Sequence, residues 1–338
     1  MQPAYRFLSR VVVVTLGLIA LLLALDGLLP ARLLMVLPGA AHGDALSERA
    51  ALKSLEADVL FLGDSTNMFP DPDKGRVSAS LFRTLGMTGT DLSAMGYGQS
   101  IFGDQLDLLT RGKKTPRAIV VPVNLRSFSA IFVARHRWTG HQLVLRHGLY
   151  FSVRALEVFK LPLSGADDSF VEQPITYRGR VVGRRTGLIS APVPVTAPDG
   201  APDHAATLSR IEQQARLSLL DNYASPIEQT AELAALHRTL RAAANLDLPV
   251  FLYFTPLNVA LMEAVLTDQE RRDIEQNVAL LIGVLRRSSH RYLNLSRWLT
   301  DRASFCDPAE TPAEHLCPDA RKRLGERLAS WISDELSR

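Results

Sequence analysis

Cysteine is nearly absent. The 338-residue chain has two, Cys306 and Cys317, close together near the C-terminus. A metal centre needs more soft ligands than these; Cys306, His315 and Cys317 would supply three, but their spacing matches no zinc motif. A disulfide is the natural reading for a cysteine pair in an exported domain. Charge of one sign is also lacking: 38 basic residues face 35 acidic ones, for a net charge of +3. No basic stripe is interleaved with aromatic residues, so no nucleic-acid partner is expected. No internal repeat is present. What is there is the composition of a folded chain, 22% charged and 47% hydrophobic, long enough for one core or for a domain with a large insertion. No cofactor or metal is expected.

One long uncharged apolar run, Val11 to Leu25, follows Arg6 and Arg10. Asp26 interrupts it, and Gly27-Leu28-Leu29 extend it. At 1.5 Å per residue, Val11 to Leu29 covers about 28 Å, close to the hydrocarbon thickness of a bilayer of about 30 Å. The run spans a membrane if Asp26 lies near the far interface. The arginines then stay cytoplasmic and the rest of the chain faces outward. The expectation is residues 1–32 as cytoplasmic tip and single-pass transmembrane anchor, 33–57 as tether with a short lead-in helix, and 58–338 as the folded domain. A cleaved signal peptide is the rival, since Gly39-Ala40-Ala41 resembles a small-residue cleavage site.

The domain opens on Val59-Leu60-Phe61-Leu62, an apolar run that predicts a buried parallel strand. Gly63-Asp64-Ser65 ends it abruptly. In open α/β sheets, catalytic groups collect at this carboxyl end. Ser65 fits a nucleophile there; Asp and Ser also fit helix N-caps. A short strand through Leu92 runs into the loop Met95-Gly96-Tyr97-Gly98, with a helix at 101–111. The β-branched run Ile119-Val120-Val121-Pro122-Val123 ends in Asn124. Further strands are expected at 250–254 and 292–295, and helices near 205–221, 226–245, 267–288 and 318–336. Residues 126–225 break the rhythm and read as a lid-like insertion. The fold class is α/β, a three-layer doubly wound parallel sheet.

Ser65, the Gly96 loop and Asn124 thus sit at strand ends on one sheet edge, with His315 directly before the last helix. Serine needs a base, and histidine titrates near neutrality. An oxyanion needs positioned donors, which the N–H groups of Ser65 and Gly96 and the Asn124 amide would supply.

These residues carry a resemblance. Gly63-Asp64-Ser65, Gly96, Asn124, and Glu314-His315-Leu316 with Gly325 downstream resemble, in order, the four blocks of the SGNH, or GDSL-type, hydrolase superfamily. The resemblance covers roughly 58–125 and 248–335. It implies Ser65 and His315 as nucleophile and base, and Ser65, Gly96 and Asn124 as the oxyanion hole. The usual Asp-x-x-His spacing is broken, because Pro312 stands three residues before His315. Asp307 is the favoured acid, since a Cys306–Cys317 bridge would bring it near His315; Glu310 and Glu314 are the alternatives. An anchor followed by such a domain resembles bacterial envelope proteins of alginate O-acetylation and the D-alanyl-lipoteichoic-acid protein. That implies a serine esterase or O-acyltransferase outside the cytoplasmic membrane, acting on acyl esters of a cell-envelope glycan beside a multi-pass membrane acyltransferase. A general membrane-anchored esterase or an inactive scaffold for exopolysaccharide assembly are the alternatives.

Overall fold

The computed structural model describes residues 2–28, 43–68, 75–109, 116–129, 132–133, 139–158, 175–177, 180–182, 208–228, 230–307 and 314–338. Strands β1 (Val59–Phe61), β2 (Gly89–Asp91) and β3 (Ala118–Val123) belong to one sheet; β4 (Ile175–Tyr177) and β5 (Arg180–Val182) form a separate antiparallel pair. With β6 (Val250–Phe254) and β7 (Arg291–Asn294), the main sheet has five parallel strands in the order β2-β1-β3-β6-β7. β1, β3 and β6 are buried throughout, which is why their sequences are unbroken apolar runs rather than alternating ones. Chain order reverses between β1 and β3, so a crevice opens outside their carboxyl ends.

Pro122 lies within the central strand, where a missing N–H would ordinarily break a ladder. Leu62 N donates to Val120 O on the β1 side, and Thr255 N to Val123 O on the β6 side. Alternation therefore turns the Pro122 nitrogen toward β1, beyond the last β1 residue paired with β3, Phe61. The Pro122 carbonyl accepts from Gln99 Nε2 at 2.8 Å.

Alternate strand residues enter different cores. Val59, Phe61, Val120 and Phe251 pack with α3 (Val77–Leu85) and α11 (Pro318–Leu336). On the opposite face, Leu60, Leu62, Val121 and Leu252 pack with α4 (Gln99–Leu109), α8 (Ala231–Ala244) and α10 (Asp268–Arg287). α2 (Gly43–Lys53), α5 (Thr139–His147) and α6 (Tyr150–Val158) extend that second layer. Arg49 Nη1 ties α2 to the end of α5 through the Leu145 and Arg146 carbonyls, at 2.6 and 2.7 Å. The remaining helices are α7 (Arg210–Leu219) and α9 (Val259–Val265). Where α11 crosses α3, a Cβ on Gly325 would stand 2.4 Å from Val77 O and 2.6 Å from Ser80 Cβ. Glycine there permits the close helix approach. Trp331, on the same helix, is half-buried and meets Phe251 edge to face, the centroids 5.3 Å apart.

Several expected boundaries move. The strand read through Leu92 ends at Asp91, because Asp91 Oδ1 accepts from Ser93 N and turns the chain. The helix read over 205–221 is α7 followed by a π-helical turn, Leu220–Ala224. α3 and α9 have no counterpart in the sequence reading. Of the insertion, 130–131, 134–138, 159–174, 178–179 and 183–207 lie outside the described residues, and the lid-like expectation for them lies there too.

At the N-terminus, α1 (Gln2–Leu28) is a helix. Its described side chains, 13–26, include seven large apolar groups between 44 and 70% exposed, Val13, Val14, Leu16, Leu18, Ile19, Leu21 and Leu23. Among the described residues, no helix is long and apolar enough to cross a membrane. Asp26 has a definite partner: it caps α6, accepting from Phe151 N at 2.6 Å and from Ser152 N and Oγ at 3.2 and 2.6 Å.

Candidate active site

Ser65 opens a 3-10 turn, Ser65–Asn67, directly beyond the end of β1. Asp64 caps that turn, accepting from Thr66 N at 2.8 Å and Thr66 Oγ1 at 2.6 Å. Asp64, Thr66 and Asn67 are buried, whereas Ser65 is half-exposed. The turn thus presents the serine and buries its neighbours. As first residue of the turn, Ser65 has an N–H without a partner inside it. Gly63 is required by crowding: a Cβ there would lie 2.0 Å from Ser93 Oγ. Asn67 closes the turn onto β2, its Nδ2 donating to Asp91 Oδ2 at 2.9 Å and Ser93 Oγ at 2.7 Å, while its Oδ1 accepts from Ser78 N at 2.9 Å.

The histidine sits in a narrow stapled loop. Cys306 and Cys317 form a disulfide, 11 residues apart. Cys306 N donates to His315 O and Cys317 N to Ser304 O, both at 2.9 Å, and Phe305 pairs with Leu316 as an antiparallel bridge. Asp307 and His315 therefore lie on the two facing arms. Asp307 Oδ2 accepts from His315 N at 3.0 Å, and Asp307 Oδ1 is 2.5 Å from His315 Nδ1. His315 Nε2 is 2.9 Å from Ser65 Oγ. Three residues spread over 250 positions thus form one chain of contacts, hydroxyl to imidazole to carboxylate. With the cysteines paired to each other, the alternative that used Cys306, His315 and Cys317 as metal ligands is excluded.

Glu314, an alternative acid by sequence, lies elsewhere. Its Oε1 accepts from Asn124 Nδ2 at 2.9 Å, its Oε2 accepts from the Tyr223 hydroxyl, and Arg126 Nη1 stands 3.7 Å away. Glu310 lies outside the described residues.

Asn124 departs from the role its block implies. Arg126 N donates to its Oδ1 at 3.0 Å, which fixes the amide orientation. Nδ2 then donates to Asp64 Oδ2 and to Glu314 Oε1, each at 2.9 Å. An amide nitrogen has two hydrogens, and both are engaged, so in this arrangement the side chain does not offer a donor to an oxyanion. Gly96 is buried with φ of 79°, and Ala94 N donates to Gly63 O at 3.2 Å, which holds the Gly96 loop beside the Ser65 turn.

Burial alone would lower the His315 pKa. The Asp307 hydrogen bond and the charges of Glu314 and Asp307 outweigh burial and the opposing Arg126, so it rises above the ordinary histidine value. Burial pushes the Asp64 carboxyl up despite hydrogen bonds from Thr66 and Asn124. Glu314, equally buried, is held below the usual carboxylate range by Arg126, His315, Asn124 and Tyr223.

Ser65 and His315 carry a signal in the sequence. Asn67, Asp91, Ser93 and Tyr223 carry none, because their roles depend on loops that meet only in the fold. Compared with known proteins, the chain matches no family model and no curated relative.

Proposed function

We propose that the protein is a serine acyl-transfer enzyme of the SGNH type. One observation carries the reading: Ser65 Oγ, His315 and Asp307 in line at 2.9 and 2.5 Å. In the first half-reaction, His315 Nε2 takes the Ser65 proton as Oγ attacks an ester carbonyl. The tetrahedral oxyanion is met by the Ser65 N–H and the amides of the Gly96 loop; one such donor is ordinarily worth about 2.7–4 kcal/mol. The imidazolium, steadied by Asp307, then protonates the departing alkoxide and leaves an acyl ester on Ser65. In the second half, His315 deprotonates an acceptor hydroxyl, from a sugar or from water, which attacks that ester and releases Ser65.

We further infer that the substrate is an O-acyl ester of a cell-envelope polysaccharide, acetyl or another short acyl. We place this site outside the cytoplasmic membrane, beside a multi-pass membrane acyltransferase. The apolar surface of α1 and the disulfide, a bond favoured in oxidising compartments, support that placement.

The test is turnover of p-nitrophenyl acetate by the full-length chain with and without an oligosaccharide acceptor. Acetylated oligosaccharide, absent with Ser65→Ala, is the expected product. p-Nitrophenol release with acetate as sole product would make it an esterase. If Ser65→Ala left envelope glycan acylation intact in cells while deletion abolished it, the protein would be a scaffold.

A further inference from the structure

A buried polar cluster beside the triad remains unused by this mechanism. Glu314 is 2% exposed and immediately precedes the base; Asp64 is 3% exposed and immediately precedes the nucleophile. The Asn124 amide bridges the two carboxylates at 2.9 Å each. One side chain at the end of β3 therefore joins the histidine loop to the serine turn. The far oxygen of Glu314 accepts from Tyr223, which stands in the π-helical turn 220–224 of the insertion. Such turns are frequent at functional sites. Asn277 Nδ2 fixes this one by donating to Tyr223 O and Ser225 O, at 2.8 and 2.9 Å. Buried carboxylates are costly unless fully partnered, and apolar side chains would fill the same space more stably. A geometric demand explains their presence.

We propose that Glu314 is a positioning residue: through Asn124 it fastens the histidine loop to the serine turn. Tyr223 makes the insertion part of this fastening. The inference rests on the acyl-transfer reading for its catalytic consequence, though not for its geometry. The charged and titratable groups facing His315 are Asp307, Glu314 and Arg126; those facing Glu314 are Arg126, His315, Tyr223 and Asp64. Burial pulls the His315 pKa down, and Glu314 is one of the charges that raise it.

Glu314→Gln tests this, since it keeps an acceptor for Asn124 and removes the charge. Two readouts are taken on the full-length chain: titration of the His315 imidazole by NMR on ¹³C-labelled histidine, and the rate of Ser65 phosphonylation by a fluorophosphonate. The expected result is a His315 midpoint at lower pH than in the parent, with phosphonylation slowed about 10–100-fold by misplacement of the base, because the amide nitrogen that replaces Glu314 Oε2 cannot accept from the Tyr223 hydroxyl. A phosphonylation rate identical to the parent's overturns the proposal. If Glu314→Gln fails to fold, Tyr223→Phe decides: slower phosphonylation at an unchanged melting temperature supports it, and an unchanged rate overturns it. Should the parent resist phosphonylation while its His315 midpoint still responds to Glu314→Gln, the acyl-transfer reading fails and the positioning stands.

Discussion

The serine turn at 63–68 is fastened by side chains: Asp64 on Thr66, and Asn67 on Asp91, Ser93 and Ser78. The histidine loop at 304–317 is fastened by backbone pairing and a disulfide. The first follows a buried strand, whose end already fixes its position, so hydrogen bonds suffice. The second lies between the 3-10 turn Arg302–Ser304 and α11, and among the described residues no strand anchors it. The covalent closure sets its two arms face to face, and the acid need not then keep a fixed helical or turn spacing from the base. Asp307 reaches His315 from eight residues away.

The comparison breaks first at Asp307. Asp307→Asn is expected to lower kcat by about 10⁴-fold while leaving the fold intact, because the neutral amide no longer favours the imidazole tautomer and charge the reaction needs. A loss below tenfold in ester turnover would show that another group orients the base. Opening the disulfide is next. Cys306→Ser with Cys317→Ser is expected to cost about 3 kcal/mol, the loop-closure value for a loop of this size, read as a lower melting temperature. Ester turnover should fall with it. Full activity in that variant would mean that the backbone pairing alone holds the loop.

The same test on the first loop is Asn67→Ala. It leaves Asp91 and Ser93 short of a donor in a half-buried site and is expected to cost about 1–3 kcal/mol. Gly325→Ala is the control away from both loops. It crowds α11 against α3, at a cost of about 1–3 kcal/mol for overpacking, and should lower the melting temperature without changing the rate of Ser65 phosphonylation.

pH sharpens the contrast further. In the proposed acyl transfer His315 acts as a neutral base, and its pKa lies above the ordinary histidine value. Activity is therefore expected to fall on acidification at a higher pH than a free histidine would dictate, as a kcat/KM profile would show. The stability linkage runs the opposite way. A pKa raised on folding contributes stability that is complete below the unfolded value and lost as pH rises through the folded one. Melting temperatures of the parent and His315→Gln should therefore converge as pH rises through that range.

Much of the sheet was legible because buried parallel strands write themselves as apolar runs: 59–62, 118–123 and 250–254 needed no periodicity. α11 was legible from the helical spacing of Leu324, Leu328, Trp331, Ile332 and Leu336. α3 was missed because its short run, Val77–Leu85, follows the turn-rich residues 70–76, and α9 because its seven residues hold too few turns to establish a period. In the site, Ser65 and His315 were legible from strand-end and helix-start positions. The role of Asn124 was not, since nothing local announces that two carboxylates, at 64 and 314, converge on one amide. Tyr223 was hidden for the same reason: its partner is 91 residues away.

The most direct measurement is fluorophosphonate labelling of the full-length chain, mapped by peptide mass spectrometry. A single adduct on Ser65 is expected, abolished by Ser65→Ala and slowed by orders of magnitude in His315→Gln. Absence of an adduct on Ser65, or an adduct formed equally fast without His315, would contradict a reacting serine–histidine pair.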